Sequence, residues 1–198
     1  MTLPAKPILQ ALGSIPSATF VETGSYHGSG IHIAIQSGFT KIISIEPVKE
    51  FFDICAEKFS SQIKNGSVEL VLGSSEQKLG EVIGKIDTPI VYWLDGHYQG
   101  GESEAKNCPL ADEVSAIIGR GVGASDVIMI DDIRLLKVSS AWRGHETDLA
   151  SELGKLIISS PGHMGLFVRG HIAADVFLLV PRWLVGAHPS IFDRQLNQ

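Results

Sequence analysis

The sequence predicts an α/β fold, a doubly wound and mostly parallel seven-stranded sheet that ends in an antiparallel hairpin. Three observations predict it. Short apolar runs alternate with segments of helical period from residue 18 onward. Most of these runs are continuous, as in Ile90-Val91-Tyr92-Trp93-Leu94 and Val127-Ile128-Met129-Ile130, which suits parallel strands covered by helices on both faces. The last two runs are joined only by Arg169 to Ala174, too short a link for a helical crossover, so those two strands pair antiparallel.

Taken in order, Ala18 to Glu22 is a first strand stopped by a glycine turn, and Ile31 to Gln36 is a helix ended by Gly38. Lys41 to Glu46 is a second strand. Phe51, Phe52, Cys55, Phe59 and Ile63 recur at helical spacing and predict one helix over Val48 to Ile63. Asn65-Gly66 turns the chain into a third strand, Val68 to Leu72. Ser74-Ser75-Glu76-Gln77 has the form of a capping box, with Ser74 as cap and Gln77 reaching back, for a helix to about Ile83. Ile90 to Leu94 is the fourth strand. Pro109 suits the first position of a helix to about Ile118, and Asp112 and Glu113 complement its N-terminal dipole. Val127 to Ile130 is the fifth strand, Leu149 to Ile158 a helix, and Met164 to Val168 and Asp175 to Val180 the closing hairpin. Residues 1–17, with Pro4, Pro7 and Pro16, form an N-terminal extension, and residues 18–198 form one domain with a sizeable core.

Charge excludes some function classes. The net charge is -6 and no Lys/Arg cluster occurs, whereas neutralising phosphates needs concentrated positive charge. No nucleic acid and no membrane surface is expected as a partner. The apolar stretch from Ile8 to Leu12 is too short for a leader, and no run approaches membrane-spanning length. Cys55 and Cys108 stand far apart and outside any C-x-x-C pattern, as expected of reduced thiols in a soluble, cytoplasmic protein.

Ligands of doubly wound sheets bind beyond the carboxyl ends of the strands, where the strand order reverses. There the chain places Glu22-Thr23-Gly24-Ser25-Tyr26-His27-Gly28, with Gly24, Gly28 and Gly30 in a G-x-x-x-G-x-G pattern between strand and helix. Glycines let the backbone approach a ligand closely, and the helix start offers unpaired N–H groups. The dinucleotide fingerprint fails, because Tyr26 and Ser29 stand where glycines are required. A P-loop fails too, since no Gly-Lys-Ser/Thr follows.

The remaining pattern, an acid two residues before the first glycine, together with the closing hairpin, resembles the class I S-adenosylmethionine-dependent methyltransferases over nearly the whole chain. The resemblance implies a Rossmann-like methyltransferase fold with S-adenosylmethionine as cofactor. It carries Glu22, Gly24, Ser25 and Gly28 to the cofactor turn, with Glu22 near the cofactor's amino-acid end. Glu46, ending the second strand, corresponds to the acid that accepts from the ribose hydroxyls, a role suited to a carboxylate facing a diol. Ser74 and Ser75 sit where the family frames adenine, although many members carry an acid there.

Asp95 ends the fourth strand and Asp131-Asp132 ends the fifth, so three carboxylates are predicted to converge. Such clustered oxygens repel and favour a hard cation such as Mg²⁺. The pairing resembles metal-dependent small-molecule O-methyltransferases, of the catechol type and of the type that tailors macrolide or antibiotic sugars. That resemblance implies Asp95, Asp131 and Asp132 as metal ligands, with Asp95 also at the cofactor and in the catalytic group. It implies that the ion binds the acceptor oxygen, lowers the hydroxyl pKa and aligns it for in-line attack. Asp132 is equally placed to cap the following helix. The sugar-tailoring members often carry a second acid where this chain has His97. A neutral imidazole there can act as general base, as a further ligand, or as an ordinary loop histidine.

Tyr98, Arg134, Trp142 and Arg143 lie on loops of the same edge and suit a small hydroxylated acceptor such as a sugar, phenol or polyol. Two alternatives stand beside Mg²⁺-assisted O-methylation. One is a metal-independent methyltransferase with His97 as base. The other is a non-catalytic nucleoside-binding or assembly module of the same fold. The oligomeric state, with a homodimer among the options, is not set by the sequence.

Overall fold

The computed structural model describes residues 6–96, 108–136, 148–170 and 172–196. Strands β1 (Thr19–Thr23), β2 (Lys41–Glu46), β3 (Val68–Leu72), β4 (Ile90–Leu94), β5 (Val127–Ile130), β6 (His163–Val168) and β7 (Val176–Pro181) form one sheet in the order β3-β2-β1-β4-β5-β7-β6. Strand β7 runs antiparallel to both β5 and β6, and the other pairings are parallel. The predicted sheet and its closing hairpin are therefore present. Sequence order reverses between β1 and β4, which opens a crevice at their carboxyl ends.

Helices α1 (Lys6–Gly13), α2 (Ser29–Gln36), α3 (Lys49–Lys58), α4 (Ser60–Lys64), α5 (Ser75–Ile83), α6 (Leu110–Arg120), α7 (Ile133–Leu136), α8 (Leu149–Ile158), α9 (Arg182–Ala187) and α10 (Pro189–Leu196) complete the chain. Successive strand residues point to opposite faces, so each continuous run feeds two cores. Phe20, Ile42, Trp93, Met129 and Leu178 meet α1, α2 and α10 on one face. Val21, Ile43, Tyr92, Ile128 and Leu179 meet α5, α6 and α8 on the other. This two-sided burial is why the strands read as unbroken apolar runs.

Local expectations shift in three places. The helix predicted over Val48 to Ile63 divides at Phe59 (φ -108, ψ 22), whose buried ring packs under Gly28. Ser74 does precede α5, but its side chain caps nothing, and the Gln77 N–H bonds the Ser74 carbonyl at 3.2 Å. The capping box is not formed. Pro109 is the cap of α6 and Leu110 its first residue. Within residues 1–17, α1 buries Ile8, Leu9 and Leu12 in the same cluster as Phe20.

At the amino ends of the strands, the carboxylate of Asp126 ties β4, β5 and α6 together. It accepts from the N–H groups of Ile90 and Gly123 and from Arg120 Nη1, each at 2.8 Å. Arg120 Nη2 donates in turn to the Ile86 and Thr88 carbonyls.

Candidate functional site

The turn after β1 is held from three sides. Gly24 donates to the Ile45 carbonyl at 2.9 Å and has φ +84, and a Cβ there would lie 2.7 Å from the Asp95 carbonyl oxygen. Only glycine fits. Tyr26 takes φ +46, and its N–H donates to Glu46 Oε2 at 2.9 Å, while the Val48 N–H donates to Glu46 Oε1 at 2.9 Å. The Lys58 ammonium donates to the His27 carbonyl at 2.8 Å. Gly28 caps α2 in the left-handed region, and a Cβ there would strike the Phe59 ring at 2.4 Å. Glu46 thus pins the turn to β2 before any ligand arrives, a role the sequence does not reveal. Each of its oxygens still has a lone pair for a further donor.

Below the turn lies a buried relay. Ser25 donates to Ser44 at 2.6 Å, and Ser44 donates to Glu22 Oε2 at 2.6 Å. Glu22 is fully buried and its Oε1 has no hydrogen-bond partner. Burial pushes its carboxyl up to about 8, with Ser44 lowering it and the Glu46 charge raising it. Glu22 and Ser25 therefore support the turn from beneath.

A cleft of about 280 Å³, open to solvent, lies at the strand switch between Gly24, Ile45, Pro47, Ser74, Ser75, Gly96 and Pro109. The groups of this cleft fit a nucleoside cofactor: bare backbone at Gly24 and Gly96 and two serines at the start of α5, with Glu46 at the end of β2 between the lining residues Ile45 and Pro47. Glu113, on α6 behind this wall, shares the first helical turn with Asp112; Asp112 is exposed, but Glu113 is 0% exposed and neither of its oxygens has a hydrogen-bond partner. Burial raises its carboxyl to about 7 even though the Ser75 and Thr23 hydroxyls stand close enough to lower it.

The second set of acids sits at the ends of β4, β5 and β7. The Asp95 N–H donates to the Thr23 carbonyl at 3.2 Å, and its Oδ1 is buried without a hydrogen-bond partner. Burial, then the charges of Asp131, Asp132 and Glu22, hold its carboxyl well above the usual range. The Asp131 N–H bonds the Leu94 carbonyl at 3.1 Å, and Asp131 Oδ1 accepts the Asp132 N–H at 2.8 Å. Asp132 takes the left-handed φ of +55, a strained conformation for this residue.

Among the described residues, the group whose oxygens converge within 4.8 Å is Asp131, Asp132 and Asp175, all buried. Asp95 stands beside this group rather than in it. Asp175, just before β7, has no local signal, because its partners lie on β5 and α7. Arg134, expected to face an acceptor, instead pairs with Asp132 Oδ1 at 2.8 Å and with Asp175 Oδ2. Three hard oxygen donors fit Mg²⁺ in kind, but two of them already hold a guanidinium. A divalent ion has to displace Arg134. His97, Tyr98, Trp142 and Arg143 lie outside the described residues.

No protein-family model matches the chain, and no curated protein matches it by sequence. Solved structures do. The chain is similar to a methyltransferase of Podospora anserina bound to S-adenosylhomocysteine, at 15% identity and TM-score 0.63, covering 89% of this chain and 77% of that one. It is similar to an O-methyltransferase from Bacillus cereus in complex with S-adenosylhomocysteine, at 13% identity and TM-score 0.57, covering 88% and 78%. It is also similar to a methyltransferase from Geobacter sulfurreducens, at 13% identity and TM-score 0.55, covering 89% and 77%. At such identities the likeness is one of fold, and the chain has the fold of the class I S-adenosylmethionine-dependent methyltransferases.

Proposed function

We propose that this chain is an S-adenosylmethionine-dependent methyltransferase that methylates a hydroxyl oxygen of a small acceptor such as a sugar, phenol or polyol, assisted by Mg²⁺. The observation that carries the reading is the clamped turn at the strand switch. Gly24 is stripped of a side chain against the Asp95 carbonyl, and the Glu46 carboxylate holds the Tyr26 and Val48 N–H groups between Ile45 and Pro47, which line the cleft. When bound, the cofactor supplies a methyl group on a sulfonium, and Mg²⁺ supplies charge that makes the acceptor hydroxyl more acidic.

The chain supplies the rest. Gly24, Gly28, Ser74 and Ser75 leave room for and contact the cofactor, Glu46 accepts from its ribose hydroxyls, and Glu22 with Ser25 keeps the turn in shape. Asp131 and Asp132, with Asp95 beside them, hold the cation and orient the acceptor oxygen. Holding the two reactants in line supplies much of the rate. His97 would take the proton of the acceptor hydroxyl, whose oxygen would receive the methyl group.

Calorimetric titration with S-adenosylhomocysteine, with and without Mg²⁺, tests the reading. Wild-type protein binds the nucleoside, and Asp131→Ala keeps that affinity while methyl transfer collapses. Full transfer by Asp131→Ala in the presence of chelator rejects the metal. One observation favours the second reading, metal-independent transfer with His97 as base: Arg134 already neutralises Asp132 and Asp175. Turnover indifferent to chelator but lost in His97→Ala selects it.

A further inference from the structure

Glu113 is a buried acid that the proposed reaction does not use. It is 0% exposed, and both carboxyl oxygens are buried with no hydrogen-bond partner. Leaving such a group unsatisfied costs stability, so its retention calls for an account. Its position supplies one. A Cβ built on Gly96 would lie 3.4 Å from Glu113 Oε1 and 3.3 Å from Thr23 Oγ1, so the carboxyl sits directly behind a residue that lines the cleft. The Ser75 hydroxyl, also on the cleft wall, stands beside it.

The wall has a definite polarity. The first turn of α5 presents N–H groups that its own helix does not use, and the Ser74 side chain caps none of them. Next to these donors stands an acceptor, the Glu113 carboxyl, with Ser75 between it and the cleft. Ile45 and Pro47 supply an apolar surface alongside. Donor beside acceptor on an apolar slot complements the edge of a purine with a ring nitrogen that accepts and an exocyclic amino group that donates. A 6-oxo purine puts an acceptor against an acceptor. The third strand ends without an acid of its own, since Gly73-Ser74-Ser75 follow Leu72.

We infer that Glu113 is the positioning residue for the nucleobase amino group: when the ligand binds, the neighbouring Ser75 hydroxyl turns its hydrogen onto the unsatisfied Glu113 carboxyl and presents its oxygen to the amino group as an acceptor. This rests on the methyltransferase reading and deepens it by naming what selects the base. The relay needs only an accepting oxygen on residue 113, so a carboxyl in either protonation state serves, and so does the carbonyl of a glutamine.

The test is the affinity ratio of S-adenosylhomocysteine to S-inosylhomocysteine, in which oxygen replaces the 6-amino group, measured by calorimetry. Wild-type protein is expected to favour the adenine ligand tenfold or more. Glu113→Ala and Ser75→Ala each bring the ratio to within about threefold with both ligands still bound, because Ser75 is then absent or free to turn and donate. Glu113→Gln keeps the wild-type ratio, which a merely structural role would not predict. Glu76→Gln, at the exposed rim of the same cleft, keeps it as well. Should Glu113→Ala fail to fold, Ser75→Ala and Glu113→Gln still decide. An unchanged ratio in Ser75→Ala, or a ratio lost in Glu76→Gln instead, overturns the inference. Failure of the wild-type protein to bind either ligand removes the methyltransferase reading first.

Discussion

At the amino ends of the strands, Asp126 has both oxygens engaged, by two backbone N–H groups and by Arg120. At the carboxyl ends, Glu22, Asp95 and Glu113 are equally buried, yet each keeps at least one oxygen without a hydrogen-bond partner. The same residue types at opposite rims of one sheet are thus built to opposite ends. A fully satisfied acid staples the fold and is finished. An unsatisfied one carries an energetic penalty that a ligand, a cation or a proton relieves. The contrast separates an acid whose bonds are complete from acids whose burial leaves an oxygen open to a further partner.

The largest effect that would sharpen this contrast is on transfer. Asp131→Ala should lower the rate of methyl transfer by about a thousandfold with S-adenosylhomocysteine affinity within twofold of wild type, measured by turnover and calorimetry. The opposite rim answers in stability alone. Asp126→Asn removes the charge facing Arg120 and one of the accepting oxygens, and should cost about 1–3 kcal/mol in chemical denaturation, with ligand affinity of the folded protein unchanged. A loss of affinity there would blur the two rims into one.

Gly24→Ala forces a Cβ to within 2.7 Å of the Asp95 carbonyl at φ +84, and should weaken S-adenosylhomocysteine by about a hundredfold. Arg134→Gln removes the cation already lodged among the acids of β5 and β7. Mn²⁺ affinity, read by electron paramagnetic resonance, should rise about tenfold. An unchanged affinity would mean that Arg134 does not compete for those oxygens.

The most gradual effect is a pH slope. Glu22 is raised to about 8 in the folded chain, so between its ordinary value of 4.5 and 8 the native state binds the proton more tightly than the unfolded state does. Its contribution to stability is complete below 4.5 and is lost as pH climbs toward 8, at up to about 1.4 kcal/mol per pH unit. Glu113, raised to about 7, acts in the same direction over 4.5 to 7. Thermal midpoints from pH 5 to 8 should therefore fall, and Glu22→Gln should flatten the fall.

Much of the turn at the strand switch is legible in the sequence because it is local. Gly24 and Gly28 stand within one turn, and Glu46 follows from where an apolar run ends. What the sequence does not disclose is that Glu46 already holds the Tyr26 and Val48 N–H groups. Glu113 misleads, because a first-turn acid looks like a dipole partner until the packing of α6 against the sheet buries it. Asp175 is silent, since its bond to Arg134 spans 41 residues.

By itself the sequence determined the number of strands, their direction and the two glycines of the turn. Those features follow from periodicity, linker length and backbone sterics, all short-range in the chain. Only the tertiary structure decided which acids meet, which of them lose water and which find a counter-ion. Desolvation and Coulomb interaction depend on neighbours in space, and Glu22, Asp95, Glu113 and the Arg134 cluster draw theirs from separate elements of the fold.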